Sequence, residues 1–164
     1  MNIYLKYIID SFIINYKSWL AFIISIYTIR RHNFLIVVVN LIILLMYSHI
    51  AHYIWHLNYI YPINIIHTNH HSNDNTYSEV AEIIMEIMLF IYLIAIKHIF
   101  NSDIMYYLDE WVVLLVCLYY ITVHNINYSI LRVNNTHRIH HDILNMNMGP
   151  DICDLIFNTK YKPE

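Results

Sequence analysis

The chemistry of this sequence concentrates in histidine, which accounts for twelve of its 164 residues. In His52-Tyr53-Ile54-Trp55-His56 two imidazoles stand four residues apart, and a helix presents such a pair on one face, where it can grip one metal ion. His67-Thr68-Asn69-His70-His71 and His137-Arg138-Ile139-His140-His141 share the spacing H-x-x-H-H. In a helical turn the three imidazoles of such a box converge, and the adjacent pair splays far enough to reach two ions. His124 stands alone between the two boxes. Imidazole suits zinc, copper, iron and nickel. A structural zinc site closes with four ligands, often sulfur, and has no use for so many histidines. His52, His56, His67, His70, His71, His124, His137, His140 and His141 are enough for two metal ions with open positions. Soluble di-iron proteins use Glu-x-x-His pairs on bundle helices, a spacing that does not occur here. An all-imidazole site leaves its metals strongly positive, which suits the generation of an oxidant from O2.

Other residues near the boxes invite a role. His49 lies three residues before His52 on the same helical face, as an additional ligand or as a residue supporting one. His32 and His98 fall at the opposite helix ends and are expected at a membrane interface. Glu79, Asn127, Asp142 and Asp154 are candidates for orienting imidazole N–H groups. Glu82 is expected at an interfacial helix start, whereas Glu86, inside an apolar segment, needs a partner. The sixteen tyrosines are expected mainly in interfacial belts. Cys117, in an apolar run, and Cys153, in the polar tail, do not form a disulfide framework.

The elements that must hold these residues are apolar. Hydrophobic residues make up 59% of the chain and charged ones 13%, with mean hydropathy +0.44. Soluble domains carry about 25% charged residues, so this is the composition of a compact membrane protein and excludes disorder. A net charge of −3 gives no basic face for nucleic acid, and a single glycine leaves no flavin or dinucleotide loop. Four apolar segments stand out: Ile8–Ile29, Phe34–His56, Ile83–Phe100 and Trp111–Tyr128. The first, interrupted by Asp10 and Lys17, is a short span or an interfacial helix; without a small-residue cleavage site it is read as retained. The expectation is an all-α integral membrane bundle of about four transmembrane helices in two hairpins, with a cytosol-facing histidine-rich cap. It forms one domain over 1–164, with the first span and turn in 1–33 and the histidine-box region in 34–161. Two hairpins put every box and both termini on one side. Lys6, Arg132, Arg138, Lys160 and Lys162 fall on that side, against Arg30, Arg31 and Lys97 on the other; by count the positive-inside rule points to a cytoplasmic histidine side, while Arg30-Arg31 argues the other way.

The order H-x-x-x-H, H-x-x-H-H, lone His, H-x-x-H-H resembles the fatty acid hydroxylase/sterol desaturase superfamily. The tail adds to the likeness. Asn147-Met148-Gly149-Pro150 and Asp154-Leu155-Ile156-Phe157-Asn158-Thr159 are similar to the family's N-Y-G … W-D-R-L-F-G-T ending, and His124-Asn125-Ile126-Asn127 to its H-x-N stretch. Departures fall at Tyr53, Tyr120, Tyr128, Cys153 and Asn158. The resemblance implies a membrane enzyme with two iron ions held by the nine histidines, zinc being able to substitute in purified protein. It further implies O2 and a lipid as substrates (fatty acyl, sphingoid or sterol) and a separate electron donor of cytochrome b5 or ferredoxin type. The location would be the endoplasmic reticulum or a bacterial inner membrane. Two other readings stand beside it: a bis-histidine haem electron carrier pairing His52 or His56 with His124, and a metal-binding protein that has lost turnover. A zinc hydrolase would need a His-Glu-x-x-His motif, which is absent.

Overall fold

The computed structural model describes residues 3–28, 34–57, 61–73, 75–100 and 108–162, and among these the regular structure is entirely helical. The first apolar segment becomes two short helices, α1 (Ile3–Ile14) and α2 (Tyr16–Thr28), meeting at the buried Asn15. The long second segment is α3 (Phe34–Trp55), followed by α4 (Ile63–Ser72), α5 (Thr76–Phe100) and α6 (Glu110–Ile121). Helix α6 runs on into a π-helix, Thr122–Ile130, and the chain closes with α7 (Thr136–Asp142) and α8 (Asp151–Ile156).

Among the described residues, three helices are long and apolar enough to cross a membrane: Phe34–Trp55, Thr76–Phe100 and the continuous Glu110–Ile130. Their outward faces carry exposed Leu35, Ile42, Ile43, Met88, Ile91 and Leu118. In water such faces would be costly, and against lipid they are matched. Helices α1 and α2, at 12 and 13 residues, are each shorter than a bilayer requires. Arg30-Arg31-His32-Asn33 and residues 101–107 lie outside the described residues, and with them the expectation for His32.

Inside the bundle, Leu44 of α3, Phe90 of α5 and Val113 and Val116 of α6 are fully buried together. Helix α2 joins this core through aromatic packing, with Trp19 and Phe22 lying 4.6 and 5.4 Å from the Tyr119 ring. At the end remote from the histidine boxes, Asp109 caps α6 by accepting from the backbone N–H groups of Trp111 (2.8 Å) and Val112 (3.1 Å). Asn40, buried in α3, accepts from the Asp109 N–H at 2.9 Å and fixes α3 against that cap. Lys97 and His98 both meet Glu110 there at 3.1 Å, which places His98 far from the other imidazoles.

Helix α5 begins seven residues before the expected Ile83, because the Asn75 side chain accepts from the N–H groups of Tyr77 and Ser78, both at 3.0 Å. The extension carries Glu79 and Glu82 into the bundle. Glu82 is fully buried, which corrects its assignment to an interfacial helix start.

Candidate metal centre

Four elements bring the boxes together at one end of the bundle. The C-terminal turn of α3 carries His52 and, one residue beyond it, His56. The short helices α4 and α7 each carry one H-x-x-H-H box, and the π-helix carries His124. Long π-helical stretches are rare and favour functional sites, because the wider turn re-aims side chains. Here that turn buries His124, Asn125, Tyr128 and Ser129.

The imidazoles form two groups. His52, His56, His67, His71 and His140 form one, and His70, His137 and His141 the other. Within the first, Nε2 atoms of His56 and His140 lie 3.3 Å apart, those of His56 and His67 3.2 Å, and those of His67 and His71 3.2 Å. Within the second, the three Nε2–Nε2 distances are 3.2, 3.2 and 2.8 Å. The ring centres of the second group are farther apart, at 5.3, 4.8 and 4.4 Å. The rings therefore point inward at a shared spot. Three ring nitrogens meeting tip to tip cannot satisfy one another as donors and acceptors, whereas a cation at their centre takes all three lone pairs. A metal with bonds of about 2.1 Å separates ligands by about 3.0 Å at right angles and about 3.4 Å in a tetrahedron. Five of the six spacings fall in that range and the sixth, at 2.8 Å, lies just below it, so the donor set fits metal ions. The groups adjoin: His71 and His141, one from each, have ring centres 4.3 Å apart.

Four imidazoles outside the membrane-crossing helices are held neutral. Burial first, then the neighbouring His67 and His141, pushes His56 down to about 3. Burial pushes His71, His137 and His140 down as well, again reinforced by neighbouring imidazoles. Neutral imidazole is the form that binds a metal.

Several rings are oriented from behind. His67 donates from Nδ1 to Glu82 Oε1 at 2.9 Å, and His140 from Nδ1 to the Met146 carbonyl at 2.8 Å. Such bonds fix the tautomer and leave Nε2 with its lone pair facing the centre. Glu79 Oε1 lies 3.8 Å from His70 Nδ1 and accepts from Ser129. Tyr120, four residues before His124, stacks on that ring and brings its hydroxyl within 3.3 Å of His52 Nδ1. Sequence reasoning missed Glu82, Tyr120 and the Met146 carbonyl. A signal existed for Glu82: a carboxylate one helical turn from Glu86 in an apolar stretch needs a partner.

Two expected participants stand apart. His124 belongs to neither group; its ring centre lies 4.7 Å from that of His137 and 5.2 Å from that of His52, with Glu86 3.9 Å from its Nε2. His49 also lies outside both, donating from Nδ1 to the Gly149 carbonyl at 2.8 Å and stacking on Phe157. It anchors the tail. Asp154 serves the same tail, accepting from the Gly149 N–H (3.0 Å) and the Thr159 hydroxyl (2.7 Å). Asn127 donates to Asn15 at 2.8 Å, and Asp142 is exposed, so neither orients an imidazole through a contact found here. His67 and His140 pack 4.8 and 4.7 Å from the His52 ring, which leaves no slot for a macrocycle between His52 and His124.

A cavity of about 290 Å³ opens beside the centre. Its walls include Ile8 and Phe12 of α1, Leu41 and Leu45 of α3, and Val123 of the π-helix, and it reaches His124 and His137. Fold and site together define a protein that is helical throughout its described residues, with three helices among them long and apolar enough to cross a membrane and buried histidine groups that could hold a metal ion. Compared with models of protein families, with curated proteins and with solved structures, the chain finds no match.

Proposed function

We propose that this chain is an O2-dependent di-iron membrane oxidoreductase that hydroxylates or desaturates a C–H bond of a lipid, as in the fatty acid hydroxylase/sterol desaturase superfamily it resembles. One observation carries the reading: three histidine boxes far apart in sequence supply two adjoining imidazole groups beside an apolar cavity. The nine histidines named from the sequence would serve the iron pair, eight in the two groups and His124 beside them. When bound, the iron pair supplies the reduction of O2 and the oxidising power for an unactivated C–H bond.

The remaining work belongs to the protein. Buried imidazoles stay neutral and keep their lone pairs on the metals. Glu82 and the Met146 carbonyl hold two of the rings in the productive tautomer. Apolar walls from α1, α3 and the π-helix take up the hydrocarbon and exclude water from the reacting carbon. Electrons come from a separate cytochrome b5- or ferredoxin-type protein, entering by the half-buried His56, His71 and His141. The histidine end faces the cytosol with both termini, and the first apolar segment makes a fourth crossing or lies along the interface.

The test is metal analysis and lipid profiling of cells expressing the wild type or His70→Ala. The expected result is two irons per wild-type chain, a hydroxylated or desaturated lipid, and loss of both in the variant. Unchanged metal in the variant defeats the ligand assignment. Unchanged lipids alongside bound metal favour a metal-binding protein without turnover.

A further inference from the structure

The two imidazole groups are unequal in number. Five rings surround one position and three the other. Around a five-coordinate ion, five imidazoles complete the shell, while three leave two places open.

The cavity meets them unequally as well. It is lined by His137, a member of the group of three, and by no member of the group of five. His124 lines the same end, and its buried Nε2 has no hydrogen-bond partner. His56 and His71 of the five and His141 of the three are half-buried.

We propose that the two metal positions have divided roles: the position held by His70, His137 and His141 exchanges small ligands and faces the cavity occupant. The position held by His52, His56, His67, His71 and His140 is closed to exchange. His137 is the ring through which the cavity reaches a metal. Val123 and Leu45, in the cavity wall, then govern access to the exchanging position and have no path to the other. The division rests on reading the histidine groups as metal sites, and its test separates the two claims.

Purified full-length protein is loaded with cobalt(II) and titrated with azide, an anion small enough for a single open position, while the cobalt absorption is followed. The wild type is expected to hold two cobalt ions and to bind one azide. His141→Ala should hold one cobalt and lose the azide response by at least tenfold in affinity. His71→Ala, which thins the group of five, should keep the tight azide site. Val123→Trp, compared at equal cobalt content, should slow azide binding at least tenfold by filling the cavity, a readout that does not depend on either histidine variant folding. Two equivalent azides per chain, a full azide response in His141→Ala, or unaltered azide kinetics in Val123→Trp would each overturn the division of roles. A wild type that holds no cobalt overturns the metal reading beneath it.

Discussion

Replacing Glu82 tests how this centre is organised from outside its ligands. Glu82 is fully buried, and its Oε1 accepts the Nδ1 proton of His67 at 2.9 Å. That proton's position obliges Nε2 to carry the lone pair, and Nε2 is the atom 3.2 Å from both His56 and His71. Glu82→Leu removes the acceptor and the charge while keeping the volume close. A hydrogen bond to a charged group is worth about 1.5–3 kcal/mol, and loss of such a supporting partner typically costs 10- to 100-fold in metal affinity. By the affinity arithmetic that range is about 1.4–2.7 kcal/mol, so the two routes agree. Glu82→Gln keeps an oxygen able to accept from Nδ1 and loses only the charge, so its effect must be the smaller. The assay is zinc competition against a chelator in detergent, with circular dichroism to establish that both variants retain their helices. An affinity within twofold of wild type for Glu82→Leu would refute the orienting role. So would a Gln variant weaker than the Leu variant.

Acid should destabilise the metal-free protein. His56 sits near 3 in the folded state against about 6.5 when unfolded. Between those values the unfolded chain binds the extra proton, so the stabilising contribution is full above pH 6.5 and is lost as pH falls toward 3. His71, His137 and His140, also pushed down, act in the same direction. Asp154, raised to about 6 chiefly by burial, opposes them between about pH 4 and 6, but it is one group against four. Chemical denaturation at pH 7, 5.5 and 4 checks this, and a flat or rising stability on acidification contradicts it. His49→Gln should leave the metal stoichiometry at its wild-type value while lowering the thermal midpoint, because His49 holds the Gly149 carbonyl and belongs to neither metal group; loss of a metal ion would show otherwise. Gly149→Ala should cost about 1–2 kcal/mol by thermal denaturation. The cause is backbone strain at φ +66°, since an added Cβ would meet only His124 Nδ1 at an ordinary 3.9 Å; Gly149→Asn should cost less.

The sequence by itself was sufficient for what depends on spacing and composition. Long apolar runs in α3, in α5 and in α6 with its π-helical continuation are long enough to cross a membrane whatever surrounds them. The i, i+3, i+4 spacing by itself puts the imidazoles of each box on one helical face. Its limit was reached where a residue's role depends on a partner elsewhere in the chain. Glu82 reads as a polar helix start until α5 begins at Thr76 and turns it toward His67 from α4. His49 and His52 share a face of α3, yet the tail reaches His49 first with the Gly149 carbonyl and removes it from the metal groups. The adjacent pair of each box was expected to reach two ions, but the division into five and three, and which ring joins which group, was hidden in the spacing. His70 and His71 point to different groups only once α7 and the end of α3 are packed against α4, and His124 is carried beside them by a π-helical turn that apolar periodicity does not reveal. Local geometry is encoded in neighbouring residues, whereas metal geometry is a property of side chains that become neighbours only through packing.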